Sequence, residues 1–246
     1  VIDRLAVAHA LLTRLPVPGV GTVSRERLLA AAPLFPVVGL TVGGVAALGR
    51  LAADPLGAAF AAVVALALAA LITGAMHEDG LADTFDALGP RDRARRLEAM
   101  RDSRIGAFGV LALGFVLVGR VVLLGGIGAG DAALALVAAN VLARGATVLQ
   151  AGWVAPARED GSGAQLRGLG PARTAAGGIL AAAIALPALI AITPWAVAAI
   201  AVAAALTAGL AAWWRHAFGG VTGDTHGATA QLVELAVYVA VIASVT

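Results

Sequence analysis

Cysteine and lysine are both absent from the 246 residues, aromatic side chains make up 4% and charged ones only 13%. Without cysteine there is neither a disulfide framework nor a thiolate metal site. Without lysine, all 17 basic residues are arginine, which stays charged at any working pH. The charged fraction is about half of the roughly 25% in an ordinary soluble domain, too little to cover a water-facing surface. A soluble globular domain and a disordered chain are excluded on that ground. No basic cluster is interleaved with aromatics, so the net charge of +2 does not point to nucleic acid. What is abundant is apolar: 60% hydrophobic residues, 31 glycines and a mean hydropathy of +0.92. That is the composition of an all-α, polytopic integral membrane bundle, read as one membrane domain over 1–246. No charged segment followed by a long apolar run opens the chain, so no cleaved signal peptide is expected.

A membrane helix needs roughly 20 mostly apolar residues. Seven stretches come close, at about 35–53, 57–75, 105–127, 131–153, 175–193, 194–213 and 228–246. The joins after the first, third and fifth are short and free of arginine: Asp54-Pro55, Gly128-Ala129-Gly130 and Thr193-Pro194. Fourteen of the 17 arginines fall in the N-terminal segment and in the loops after spans two, four and six. The positive-inside rule makes that side cytoplasmic. The expected arrangement is N-terminus inside, seven spans across the cytoplasmic (inner) membrane and C-terminus outside. The Ala-rich fifth and sixth spans could instead form a re-entrant pair. Within the N-terminal segment 1–34, Leu5–Leu15 is too short to span. Flanked by Arg4 and Arg14, it reads as an amphipathic helix in the lipid interface.

Carboxylates are scarce, so their placement carries information. Six of the 15 lie between Glu78 and Glu98. At 100° per residue, Asp79, Asp83 and Asp86 fall within about 60° of one another. They form one face of a helix expected to continue the second span into the cytoplasmic segment 76–104. Such a face is stable only if a cation neutralises it or water solvates it. Oxygen donors without thiolate favour Mg²⁺, Mn²⁺ or Ca²⁺, and the expected metal ligands are Asp79, Asp83 and Asp86, with Glu78 and Asp102. His77 lies about 160° from the acidic face. It is grouped with Ser103 and Arg144 as a substrate-binding candidate, an interface histidine being the plainer alternative.

Gly89-Pro90 breaks the helix, and a short helix between Arg91 and Asp102 follows. Arg101 and Arg104 can clamp phosphate oxygens, although they also read as a positive-inside anchor. The second polar segment, 214–227, holds Gly219-Gly220-Val221-Thr222-Gly223-Asp224-Thr225-His226-Gly227. There Thr222, Gly223 and Thr225 can bind phosphate through hydroxyls and N–H groups, and Asp224 can share a metal or accept a proton. A plain turn is the alternative. Within the spans, Asn140, Arg144 and Glu234 are costly unless paired or facing a cavity, and an Arg144–Glu234 pair would meet that requirement.

Several stretches together resemble the cobalamin synthase (adenosylcobinamide-GDP ribazoletransferase) family. They are Phe-Pro-Val-Val-Gly-Leu at 35–40, His-Glu-Asp-Gly-Leu-Ala-Asp-Thr-Phe-Asp at 77–86, Arg-Asp-Ser-Arg-Ile-Gly-Ala-Phe-Gly-Val at 101–110 and Gly-Gly-Val-Thr-Gly-Asp-Thr-His-Gly-Ala at 219–228. Arg14-Leu-Pro-Val-Pro18 is also similar. The matches run in family order along nearly the whole chain. The family often has Lys where Arg101 stands, and Ala157–Gly170 is longer and richer in glycine than usual. The resemblance implies a Mg²⁺-using inner-membrane transferase. It would join adenosylcobinamide-GDP to α-ribazole or its 5′-phosphate, release GMP and close the nucleotide loop of the B12 coenzyme. Its partners would be those two substrates and the lipid bilayer, with a homo-oligomer or association with other cobalamin-assembly enzymes left open. On that reading Asp86 or Asp224 takes the hydroxyl proton, while Arg101 and Arg104 stabilise developing charge. The CDP-alcohol phosphotransferases also cluster aspartates at helix ends, but after Asp79-Gly80 their following Ala-Arg is missing. A transporter would place its acids near mid-membrane on broken helices, whereas here only Glu234 lies well inside a span.

Overall fold

A computed structural model describes residues 1–102 and 104–245, the last of these by its backbone alone. The described residues form helices in this order: α1 (Ile2–Leu12), α2 (Arg25–Ala31), α3 (Phe35–Ala53), α4 (Ala58–Thr73), α5 (Met76–Asp86), α6 (Arg93–Ala99), α7 (Ala107–Gly125), α8 (Ala129–Trp153), α9 (Gly161–Gln165), α10 (Pro171–Ile192), α11 (Ala196–Phe218) and α12 (Gly223–Val245). Six helical runs are long and apolar enough to cross a bilayer: Arg25–Leu56, α7, α8, α10, α11 and the stretch Gly223–Ser244 of α12. With its 16 residues, α4 is about 24 Å long, shorter than these six, and would make a seventh span only if counted together with α5.

The central strut is α8, buried along most of its length and packed against α3, α10, α11 and α12. Small residues permit this closeness, as expected where lipid offers no hydrophobic drive between helices. Gly39 and Gly43 of α3 lie against the α8 backbone at Asn140–Val141 and Leu136–Val137, where a Cβ would collide with the main chain. Large apolar side chains point outward instead, among them Phe115, Val118 and Val122 of α7 and Ile179 and Ile190 of α10. They form the surface that lipid covers.

Two expectations change. The acidic helix does not continue the second span. Gly74 closes α4 in the left-handed region at φ 67°, Ala75 follows at φ 57°, and the chain turns by 90° into α5. The helical hydrogen bonds are interrupted there, so α5 crosses the start of α12 instead of running on along α4. Arg14 packs over Gly74, and its N–H donates to the Ile72 carbonyl at 2.6 Å. The second change concerns α1. Its apolar residues Val7, Ala8 and Leu12 are buried in a cluster with Leu28, Phe35, Val38 and Val42, so protein covers that face.

The polar loops are stitched together at one end. Ala157 N–H donates to Val221 O at 2.8 Å and Val221 N–H to Ala155 O at 3.1 Å. Arg96 donates to the carbonyls of Pro90 and Ala217, and Arg25 to that of Arg167. At the opposite end Arg50 pairs with Asp54 and reaches the Ile127 carbonyl.

Candidate active site

The site is made where α5 crosses the start of α12. Gly80 faces the main chain of Asp224 and the Cα of Gly227, while Gly227 faces His77 and Gly80. Two glycines at one crossing let the backbones touch, which sets Asp79 and Asp83 of α5 beside Asp224 of α12. A Cβ on Gly80 would stand 2.8 Å from the Asp224 carbonyl oxygen and 3.1 Å from its Cα. Gly80→Ala is therefore expected to destabilise the protein by about 1–3 kcal/mol through overpacking, read as a lower melting temperature in detergent. Unchanged melting would show that the crossing is loose.

The acids at this end are not equivalent. Asp86 accepts from the N–H groups of Gly106 and Gly109 at 2.7 and 2.8 Å, closing the exposed amino end of α7. Asp224 is paired with Arg158 at 3.1 Å. Among the described residues neither Asp79 nor Asp83 has an ion-pair or hydrogen-bond partner for its carboxylate. Asp83 is pushed up to about 7, first by burial and then by the negative charges of Asp79, Asp224 and Asp86. No group of three or more histidine or acidic side chains forms a ready metal cage among the described residues. The donor chemistry nonetheless fits Mg²⁺, which usually takes one or two protein carboxylates together with substrate phosphates rather than a cage made by protein alone.

Thr222 and Thr225 have a structural task. Thr222 Oγ accepts from Thr225 N–H at 3.1 Å and Thr225 Oγ from Thr222 N–H at 2.8 Å, a reciprocal cap on α12. Gly223 is in close contact with Ser162 of α9. Beside the acidic pair lies a cavity of about 230 Å³ lined by Leu12, Phe35, His77, Asp79, Asp224 and His226, among others. His77 is held neutral well below its usual range, mainly by burial and then by the charges of Arg144 and Arg120.

The remaining sequence-based candidates lie elsewhere. Glu78 accepts from Gln231 Nε2 at 3.1 Å and shares an enclosed polar cluster with Arg120, Asn140, Arg144 and Glu234. Arg144 donates to Glu234 at 2.5 Å and to Asn140 Oδ1 at 2.8 Å, so the anticipated pair is present. Arg101 bonds Asp160 at 2.7 Å, and Arg104 grips Asp102 through two nitrogens, all four groups being exposed. The Arg104 guanidinium holds the Asp102 carboxyl at about 2. Ser103 lies outside the described residues. The structure thus sets Asp79, Asp224, His77 and Gly223 on the cavity wall with Asp83 close to Asp79 and Asp224, and does not bring Glu78, Asp86, Asp102, Arg101, Arg104, Arg144, Thr222 or Thr225 to that wall.

Two residues at the site are not marked out by the sequence. Arg158 arrives from a loop 66 positions away, which no local pattern reveals. His226 was visible in the Gly-Asp-Thr-His-Gly run but carries no periodic signal.

These features define a multi-pass helical membrane protein with a carboxylate site at one end of its bundle. The chain belongs to the cobalamin-5-phosphate synthase family, whose pattern matches residues 4–242. It is 40% identical over 232 residues to the adenosylcobinamide-GDP ribazoletransferase of Roseiflexus sp. (strain RS-1), covering 93% of this chain and 85% of that protein. It is 38% identical to the proteins of the same name from Mesorhizobium japonicum (96% and 92% covered) and Leptothrix cholodnii (97% and 94%). No solved structure is significantly similar to the chain.

Proposed function

We propose that this chain joins adenosylcobinamide-GDP to α-ribazole, or to its 5′-phosphate, and releases GMP. Family membership supplies the reaction class, a transfer in cobalamin assembly. The observation that carries the chemistry is the pair of unpartnered carboxylates, Asp79 and Asp83, facing Asp224 beside a cavity.

A ribose hydroxyl oxygen of ribazole forms the new bond to the phosphorus on the corrinoid side. The bond from that phosphorus to the bridging oxygen breaks, and the electron pair leaves with GMP. The hydroxyl proton passes to an Asp83 carboxylate oxygen, whose raised proton affinity suits a base near neutral pH. Asp79 and Asp224 would hold Mg²⁺, which when bound supplies positive charge to the diphosphate oxygens. Arg158 fixes the Asp224 carboxylate. Arg101, tied through Asp160 to the loop that carries Arg158, and Arg104 are assigned to the phosphates of the departing nucleotide. The loops that build the site carry most of the arginines, so the positive-inside rule turns this end toward the cytoplasm of the inner membrane.

Protein purified in detergent is expected to release GMP from the two substrates with Mg²⁺ and to stop when EDTA is added. Absence of GMP release under the first condition, with intact protein, overturns the assignment. The Asp83 carboxylate is present above pH 7 and is lost as pH falls through that value, so the rate should fall on the acid side. Added Mg²⁺ should move this midpoint downward, because a bound cation offsets the repulsion that raised it. A flat profile across that window would contradict the role of Asp83.

A further inference from the structure

His226 is 5% exposed, and neither ring nitrogen has a hydrogen-bond partner. Burying a polar group without a partner is unfavourable by roughly 1–3 kcal/mol, and this one lines the 230 Å³ cavity. The rest of that wall is mixed, with Leu11 and Leu12 of α1, Phe35 of α3 and Leu166 facing His77, Asp79, Ser162 and Asp224. Thr147 also reaches it, but its hydroxyl is already bonded to the Ala143 carbonyl at 3.3 Å.

We infer that this cavity seats the base of the ribazole substrate, with His226 hydrogen-bonding the bound nucleoside; the inference rests on the proposed reaction. Three candidate occupants come with that reaction, and the wall separates them. A corrin macrocycle is too large, since even drug-sized ligands occupy roughly 300–1,000 Å³. Guanine is small enough, but the proposed reaction commits Asp79 and Asp224 to the cation, and the groups left, His77, Ser162 and His226 among apolar side chains, match its several donors and acceptors less well than a base with one acceptor. Dimethylbenzimidazole is a fused aromatic pair with two methyl groups and one free ring nitrogen that only accepts. A neutral imidazole has one N–H to give and one nitrogen to receive. His226 can therefore donate a hydrogen bond to that acceptor or accept one from a ribose hydroxyl. Because Asp79 and Asp224 line the same cavity, a base seated there leaves its ribose beside the acidic face.

The test uses the full chain in detergent, with separate KM values for α-ribazole and adenosylcobinamide-GDP. A second arm measures equilibrium binding of α-ribazole alone through its benzimidazole fluorescence. Leu12→Trp fills the cavity and His226→Ala removes the hydrogen bond. Each is expected to weaken ribazole binding and raise its KM by about tenfold or more, with the corrinoid KM changed less than about twofold. His226→Gln, which keeps a donor and an acceptor, should recover much of the loss. Phe35→Leu, a milder change of the same wall, serves where Leu12→Trp does not fold. A rise in the corrinoid KM with ribazole binding intact, or displacement of the bound fluorophore by GMP alone, overturns the inference and leaves the proposed reaction standing. If the unaltered protein binds ribazole tightly yet releases no GMP, the reaction fails and the seat survives. If it does not bind ribazole at all, the seat fails.

Discussion

Asp83→Asn is expected to lower the rate of GMP release by about 10²–10⁴-fold, the usual worth of a positioned proton acceptor, while the melting temperature holds or rises. The two effects have opposite signs for one reason. Asp83 has no cationic partner among the described residues, and three other carboxylates act on it. An amide of the same shape removes that repulsion and also removes the basic oxygen. A residue kept for folding behaves otherwise, losing stability when its charge is lost. Kinetics and thermal unfolding of the same detergent preparation decide between the two. Near-normal turnover would refute the proton-transfer role, and a large drop in melting temperature would show that the carboxylate holds the fold.

The spans and their alternation were legible because lipid imposes a coarse rule on sequence: about 20 apolar residues per crossing and arginine on one side. The acidic face was legible because 3.6-residue periodicity places Asp79 and Asp83 together whatever lies beyond the helix. The break before it was not. Gly74 is one of 31 glycines, and a left-handed Ala75 carries no sequence signal. The α5–α12 crossing, where Gly80 meets Gly227, holds the bend in place, and that contact joins positions 147 apart in the chain.

Individual roles were harder to read than membership of the site. Asp86 shares a helical face with Asp79 and Asp83, yet its oxygens are taken by the amides of Gly106 and Gly109. Thr222 and Thr225 sit in a loop suited to phosphate, yet each caps the other. In both cases backbone groups orphaned at a helix terminus compete for the side chain that sequence assigns to a ligand. Glu78 follows the same logic. Adjacent to Asp79 in sequence, it points about 100° away around the helix and joins the buried polar cluster.

That cluster is the basis of the second large effect. Glu234 lies 2.5 Å from an Arg144 nitrogen and 3.2 Å from one of Arg120, with all three side chains at most 5% exposed. The carboxylate ties α12 to α8 and α7 at once. Glu234→Gln would leave two guanidinium groups inside the bundle without their shared anion, and breaking such a pair typically costs about 3–5 kcal/mol. Arg120 keeps the Gln231 carbonyl at 2.6 Å and Arg144 keeps Asn140, which places the expected loss toward the lower figure. It should appear as a fall in melting temperature and in the yield of monodisperse protein. Removing the surplus charge as well, in Glu234→Gln with Arg144→Gln, should return part of the stability, and a double-mutant cycle reads that coupling. Activity should fall along with folding, because Gln231, between Arg120 and Glu78, fastens α5 to α12 from below the acidic pair. This distinguishes the two variants: Asp83→Asn loses turnover in a stable protein, whereas Glu234→Gln loses turnover only as far as it loses structure. A Glu234→Gln protein that melts normally yet releases no GMP would instead place Glu234 in the chemistry.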